Sequence, residues 1–149
     1  MSPGRARVAR VLRIAAAVIL DADGRMLVVR KAGTESFMQP GGKLEAGESA
    51  AQCLARELHE ELVLVVAARE LEPVGRFAAA AANEAGWRVD CDVFRWRGLE
   101  ATTRPPLDPR AELAQARWCS RAELLGLAAD GVLAPLTRDN LETFLSPVE

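Results

Sequence analysis

Between Gly41 and Leu64 the sequence reads GGKLEAGESAAQCLARELHEELVL, and its last turns carry Glu57, Glu60 and Glu61. On a helix, positions i, i+3 and i+4 share one face. Like charges there repel by a few tenths of a kcal/mol per exposed pair. Taken alone, such a cluster is ordinarily a solvated acidic face. A divalent cation would turn the repulsion into a binding site, because carboxylate oxygens suit Mg²⁺ and Mn²⁺. The preceding Gly41-Gly42 pair lets backbone approach an ion closely, which makes the Gly41 carbonyl a candidate extra ligand.

The acidic residues need a helix held against something. Ser49 is placed as N-cap, and Gln52 three residues on completes a capping-box pattern. Ala51, Leu54, Ala55, Leu58 and Leu62 form an apolar stripe at helical spacing beside the acids. The helix can therefore pack on a sheet while presenting carboxylates to a cleft. Upstream, residues 13–20 and 25–31 read as two strands in a hairpin closed by Asp23-Gly24, both apolar enough to be covered on two faces. Residues 37–44 read as a tight loop around Pro40 and the two glycines. Downstream, residues 72–82 and 86–96 form a strand pair, with Trp87, Val89, Cys91 and Val93 alternating against Arg88, Asp90 and Asp92. A strand over 114–119, a capped helix from Ser120 and a last helix over 133–145 follow. Strands and helices interspersed in this way give an α/β or α+β sandwich with a mixed sheet, as a single domain over residues 1–149.

The totals narrow the classes. A net charge of −2 does not suggest a stable nucleic-acid partner. Cys53, Cys91 and Cys119 are odd in number and widely spaced, which fits buried free thiols in a reducing, cytoplasmic compartment. One histidine, His59, excludes a multi-histidine zinc site within one chain. The basic stretch holding Arg5, Arg7, Arg10 and Arg13 before apolar residues 14–20 imitates a secretory leader. Its apolar run is seven residues and stops at a turn, so it reads as a strand behind a frayed segment of residues 1–10. No run approaches the roughly 18 apolar residues of a membrane span.

The spacing itself is informative. Gly42 is followed by five residues and Glu48, then by seven residues and Arg56-Glu57-Leu58-His59-Glu60-Glu61. This resembles the signature of the Nudix hydrolases over 23 positions, Gly42 to Leu64. Residues 37–41 and 112–118 resemble the family as well. One position departs: Val63 stands where the family has glycine, so the helix either ends by another route or holds a strained valine.

The resemblance implies an α/β/α sandwich and Mg²⁺- or Mn²⁺-dependent hydrolysis of a diphosphate in a small nucleotide substrate. Glu57 is then a metal ligand or the base, Glu60 and Glu61 are the main ligands, and Glu48 is a weaker ligand or an outer group. Arg56 pairs with a motif carboxylate and orients it. Glu112 is a base candidate outside the helix, whereas Gln115 cannot act as a base. Many relatives dimerise, so a homodimer is also an expectation. A nucleotide-sensing module without turnover is the alternative. Arg30, Lys31 and Arg76 are candidates for phosphate contact and Phe37 for base stacking. The competing reading makes the three cations solvated and makes Phe37, Phe77, Trp87, Trp96 and Trp118 core.

Overall fold

The computed structural model describes residues 10–146, so most of the expected frayed N-terminal segment lies outside the described residues. The described residues contain seven strands: β1 (Arg10–Ile19), β2 (Met26–Lys31), β3 (Phe37–Met38), β4 (Gly41–Lys43), β5 (Glu72–Ala80), β6 (Trp87–Trp96) and β7 (Leu113–Cys119). The helices are α1 (Ala50–Leu62), α2 (Arg121–Ala129), α3 (Pro135–Asp139) and α4 (Leu141–Leu145). One mixed sheet runs β4-β1-β6-β5, with β1 parallel to β6 and the other pairs antiparallel. A second, antiparallel sheet runs β3-β2-β7.

Side-chain alternation along β1 divides the interior in two. Ala15, Ala17 and Ile19 join Leu27, Val29, Leu54, Leu58 and Leu62 in a core beneath α1. Ala16, Val18 and Leu20 face the other way and join Val28, Val93, Leu124, Leu136 and Phe144 beneath α2, α3 and α4. The result is the expected α/β/α layering, since an all-apolar strand is stable only when covered on both faces. Each fully buried Leu or Ile contributes about 1.5–3 kcal/mol. The three cysteines are free and buried, as expected. No helix among the described residues is long and apolar enough to cross a membrane.

Three expectations need correction. β1 and β2 do not form a hairpin within one sheet: apart from a bridge between Leu20 and Met26 they part into different sheets. The turn itself is present, but the buried Asp21 carboxylate shapes it, accepting N–H bonds from Asp23, Arg25 and the distant Arg104. The segment 37–44 is two short strands, β3 and β4, rather than a loop. The last helix is split at Asn140, whose side chain donates to the Leu136 carbonyl and satisfies a helix end.

Helix α1 starts as expected, with Ser49 and Gln52 bonding reciprocally. Its end carries strain. Val63 adopts the left-handed conformation at φ 57°, and the Leu64 N–H bonds back to the Leu58 carbonyl at 3.2 Å. A β-branched residue in that region costs of order 1–3 kcal/mol, partly offset by the greater chain entropy glycine has when unfolded. Val63→Gly is therefore expected to stabilise the protein by about 1 kcal/mol. Thermal or urea unfolding measures this; an unchanged or lower midpoint would show that the valine is relaxed.

Candidate active site

The acidic helix and the glycine strand meet edge to edge. The Cys53 thiol lies 3.5 and 3.4 Å from the carbonyls of Gly42 and Lys43, tying β4 to α1. Gly41 must lack a side chain, since a Cβ there would fall 2.0 Å from the Ala15 carbonyl oxygen. At Gly42 a Cβ would fall 2.4 Å from the Glu57 carboxyl carbon. The Glu57 carboxylate thus occupies the space that a side chain at Gly42 would fill.

Arg56 organises the carboxylates. Its Nε and Nη2 donate to the two oxygens of Glu48 at 2.6 and 2.8 Å, a bidentate pair. Its Nη1 donates to Glu57 Oε1 at 2.8 Å and to Glu60 Oε2 at 3.4 Å. This is the expected pairing of Arg56 with motif carboxylates, and it engages both oxygens of Glu48. The Arg56 hydrogen bonds hold the Glu48 carboxyl down at about 2. Burial pushes Glu57 the other way, upward, against the opposing pull of Arg56.

Glu61 is the most constrained acid. It is 2% exposed, and among the described residues its Oε1 is the buried side-chain oxygen or nitrogen without a hydrogen-bond partner. Burial, then repulsion from Glu57, raise its pKa to about 8, while Lys31 and the Gly41 backbone amide oppose the rise. The Glu61 backbone carbonyl accepts from Arg110 at 2.7 Å, which brings the 108–112 loop against the helix. Glu112 on that loop is exposed, lies 3.5 Å from Lys31 Nζ, and is close enough to act electrostatically on Glu57 and Glu61. His59 points to solvent at the variable position, as expected.

The carboxylates do not converge on one point. Among the described residues, no group of three or more His, Cys, Asp or Glu side chains stands close enough together to hold an ion as placed. The donor chemistry nevertheless fits a hard divalent cation: an orphaned buried carboxylate oxygen, two further carboxylates on the same helix face and a side-chain-free glycine strand beside them.

On the other side of β4 lies a cleft of about 690 Å³ of empty space, its open mouth included. Leu12, Ile14, Val89 and Leu136 form apolar walls, and Gly41, Gly42 and Lys31 line the side toward the acids. Its lining also contains a buried polar pair: Thr137 Oγ1 donates to Gln39 Oε1 at 3.0 Å, and Gln39 Nε2 donates to the Ala17 carbonyl at 3.2 Å. The sequence reading missed this pair. Gln39 and Thr137 are 98 residues apart, and nothing local in the sequence joins them.

The other candidates are scattered. Lys31 reaches the cleft. Arg30 and Phe37 do not; they line a separate groove with Arg117. Arg76 is engaged with Asp90 at 3.1 Å and Asp92 at 3.9 Å on the mixed sheet, away from the acids. The aromatics are structural: Trp96 is buried, Trp118 donates to the Pro105 carbonyl, and Phe77 packs edge-on against Phe144.

The NUDIX domain model matches residues 11–139. The chain belongs to the Nudix family. A 66-residue stretch is 35% identical to an 8-oxo-dGTP diphosphatase of Haemophilus influenzae, covering 42% of this chain and 48% of that protein. The chain therefore matches about half the length of this curated relative. The fold agrees with the MutT protein of Methanosarcina mazei Go1, with TM-score 0.72 and 21% identity over 93% of this chain and 96% of that one. It agrees also with a bifunctional NMN adenylyltransferase/ADP ribose pyrophosphatase of Francisella tularensis, solved with AMP and an Mn ion. That match has TM-score 0.66 and 18% identity over 95% of this chain and 42% of that one. Both likenesses are to the fold, the layered sandwich described above.

Glu61 also fixes a pH dependence. Its proton is held more tightly in the folded protein than at the ordinary value of 4.5. The stability it contributes is present below about pH 4.5 and is lost as pH rises through about 8. Without added metal, the unfolding midpoint should fall between about pH 5 and 8, and Glu61→Gln should flatten that slope and raise the midpoint at pH 8. Calorimetry across this range checks it; equal slopes for the two proteins would show that Glu61 ionises freely.

Proposed function

We propose that this Nudix protein hydrolyses a diphosphate linkage in a nucleoside diphosphate derivative, a nucleoside triphosphate or a small nucleotide conjugate, in the presence of Mg²⁺ or Mn²⁺. The products are a nucleoside monophosphate and either pyrophosphate or a phosphorylated remainder. One observation carries the reading. A buried carboxylate with an unpartnered oxygen, Glu61, stands with Glu57 against a glycine strand that also lines an apolar cleft, and Glu60 shares their helix face. Two similar proteins, an 8-oxo-dGTP diphosphatase and a bifunctional NMN adenylyltransferase/ADP ribose pyrophosphatase, point the same way, and the structure of the second contains Mn.

Glu57, Glu60 and Glu61, with the Gly41 carbonyl, would hold the ion. When bound, it would neutralise phosphate charge and favour hydroxide over water. Arg56 presents Glu57 and Glu60 from behind, with Glu48 anchoring the guanidinium in turn. Lys31, which pairs with Glu112 and lines the cleft, would meet the phosphate chain. The nucleoside would enter the apolar cleft. Water attacks phosphorus, the bond to the bridging oxygen breaks, and Glu112 or Glu57 accepts the proton from water.

The scattered carboxylates favour one alternative, a module that senses a nucleotide without cleaving it. A nucleotide panel with Mg²⁺ or Mn²⁺ and product analysis separates the two. Hydrolysis is expected, with Glu57→Gln and Glu60→Gln lowering kcat by about a hundredfold or more in folded protein. Nucleotide affinity that survives Glu60→Gln, with no product formed by the parent protein, would establish the sensing module instead.

A further inference from the structure

The groove that holds Arg30 and Phe37 lies outside the cleft, and its construction points to a ligand of its own. Strand register places its parts on one face of the antiparallel sheet. Arg30 pairs across with Phe37 of β3 and with Gln115 of β7, and Arg117 pairs with Val28 two residues back along β2. Both guanidinium groups rest against the same ring, with their carbons 6.0 Å (Arg30) and 5.3 Å (Arg117) from the Phe37 centroid. Thr34, Glu35 and Val132 complete the lining.

Two like charges on one aromatic ring repel, and the ring quadrupole attracts each by only about 0.5–1 kcal/mol. Neutralisation from within the chain is slight. Arg30 donates to the Thr34 carbonyl at 2.8 Å and to Gln115 Oε1 at 3.5 Å, both neutral, and makes no ion pair among the described residues. Arg117 meets Glu123 at 3.5 Å, a distant and partly exposed pair. Glu35 is exposed on the rim and makes no ion pair among the described residues. Most of the N–H groups of two planar forks are therefore uncommitted, as is the amide nitrogen of Gln115, whose oxygen faces Arg30.

We propose that this groove binds a phosphoryl oxyanion, held between the Arg30 and Arg117 guanidinium groups over Phe37. Two forks offer more donors than the two oxygens of a carboxylate can use, whereas the three oxygens of a phosphate monoester can engage both. Phe37 is 7% exposed and fixed in the core, so the platform exists before the ligand arrives. The site uses neither the acidic helix nor the cleft, and so stands whether or not the proposed hydrolysis does. The anion is either free phosphate or the phosphate of a nucleotide.

The test uses the full chain labelled with ¹⁵N in arginine and follows the Nε–H signals of Arg30 and Arg117. Inorganic phosphate, and then AMP, is added at ionic strength matched with chloride. Both signals should shift saturably with phosphate. In Arg117→Gln the Arg30 response should require about tenfold more phosphate or greater, and Glu60→Gln should leave it unchanged. Tighter saturation with AMP identifies a nucleotide as the source, and equal or weaker saturation identifies free phosphate. Arg117→Lys, which keeps charge and loses the fork, and Arg30→Gln provide second variants should Arg117→Gln unfold. Shifts that rise without saturation, like those of exposed Arg88, would overturn the proposal. So would saturation that persists undiminished in every folded arginine variant.

Discussion

One guanidinium makes the acidic helix compatible with folding. Glu48, Glu57 and Glu60 would repel one another without Arg56, which bonds to all three. Such an arrangement is anisotropic. A planar fork satisfies Glu48 along one edge and reaches Glu57 and Glu60 with a single remaining nitrogen. Glu61, on the same helix face but buried in the interior, receives nothing from it. The acid left over is also the most deeply buried. The chain thus concentrates its electrostatic cost in one carboxylate rather than spreading it over the cluster.

That cost must be met by packing. Helix α1 is seated by Leu54, Leu58 and Leu62 in the core shared with β1 and β2, and the reciprocal Ser49–Gln52 cap closes its first turn. Its last turn works in the opposite direction, since Val63 holds a left-handed conformation that glycine would take without strain. Strain at Val63 and the unpartnered carboxyl oxygen of Glu61 lie within one turn of each other. The helix is stable because its buried face is strong, not because each local preference agrees.

This explains which parts were legible in the sequence. The capping box, the apolar stripe and the fixed spacing from Gly42 to Glu61 are local, and they place the acids on one helix face with no knowledge of the fold. The parting of β1 and β2 into two sheets was not legible, because Asp23-Gly24 signals the turn but not what happens beyond it. One contact that holds the turn, Asp21 with the backbone of Arg104, spans 83 residues. The Gln39–Thr137 pair was hidden for the same reason. Arg76 had the right charge but is engaged by Asp90 and Asp92, because the pattern pairs the two strands without fixing which residues face each other across them.

Arg30 and Lys31 carry this furthest. They are adjacent, alike in charge and interchangeable in a reading by composition. A strand sends successive side chains to opposite faces, and the pairing with β7 is irregular between these two positions. Lys31 is delivered to the acids and the cleft, while Arg30 is delivered to Phe37 and Arg117. A one-residue slip of β2 would exchange them, placing a guanidinium beside Glu61 and an amine over the aromatic ring. That slip would also carry Leu27 and Val29 out of the core beneath α1 and put Val28 into it, undoing the close packing of both cores. The register that secures the hydrophobic core is therefore also what assigns each of the two cations to its own surface.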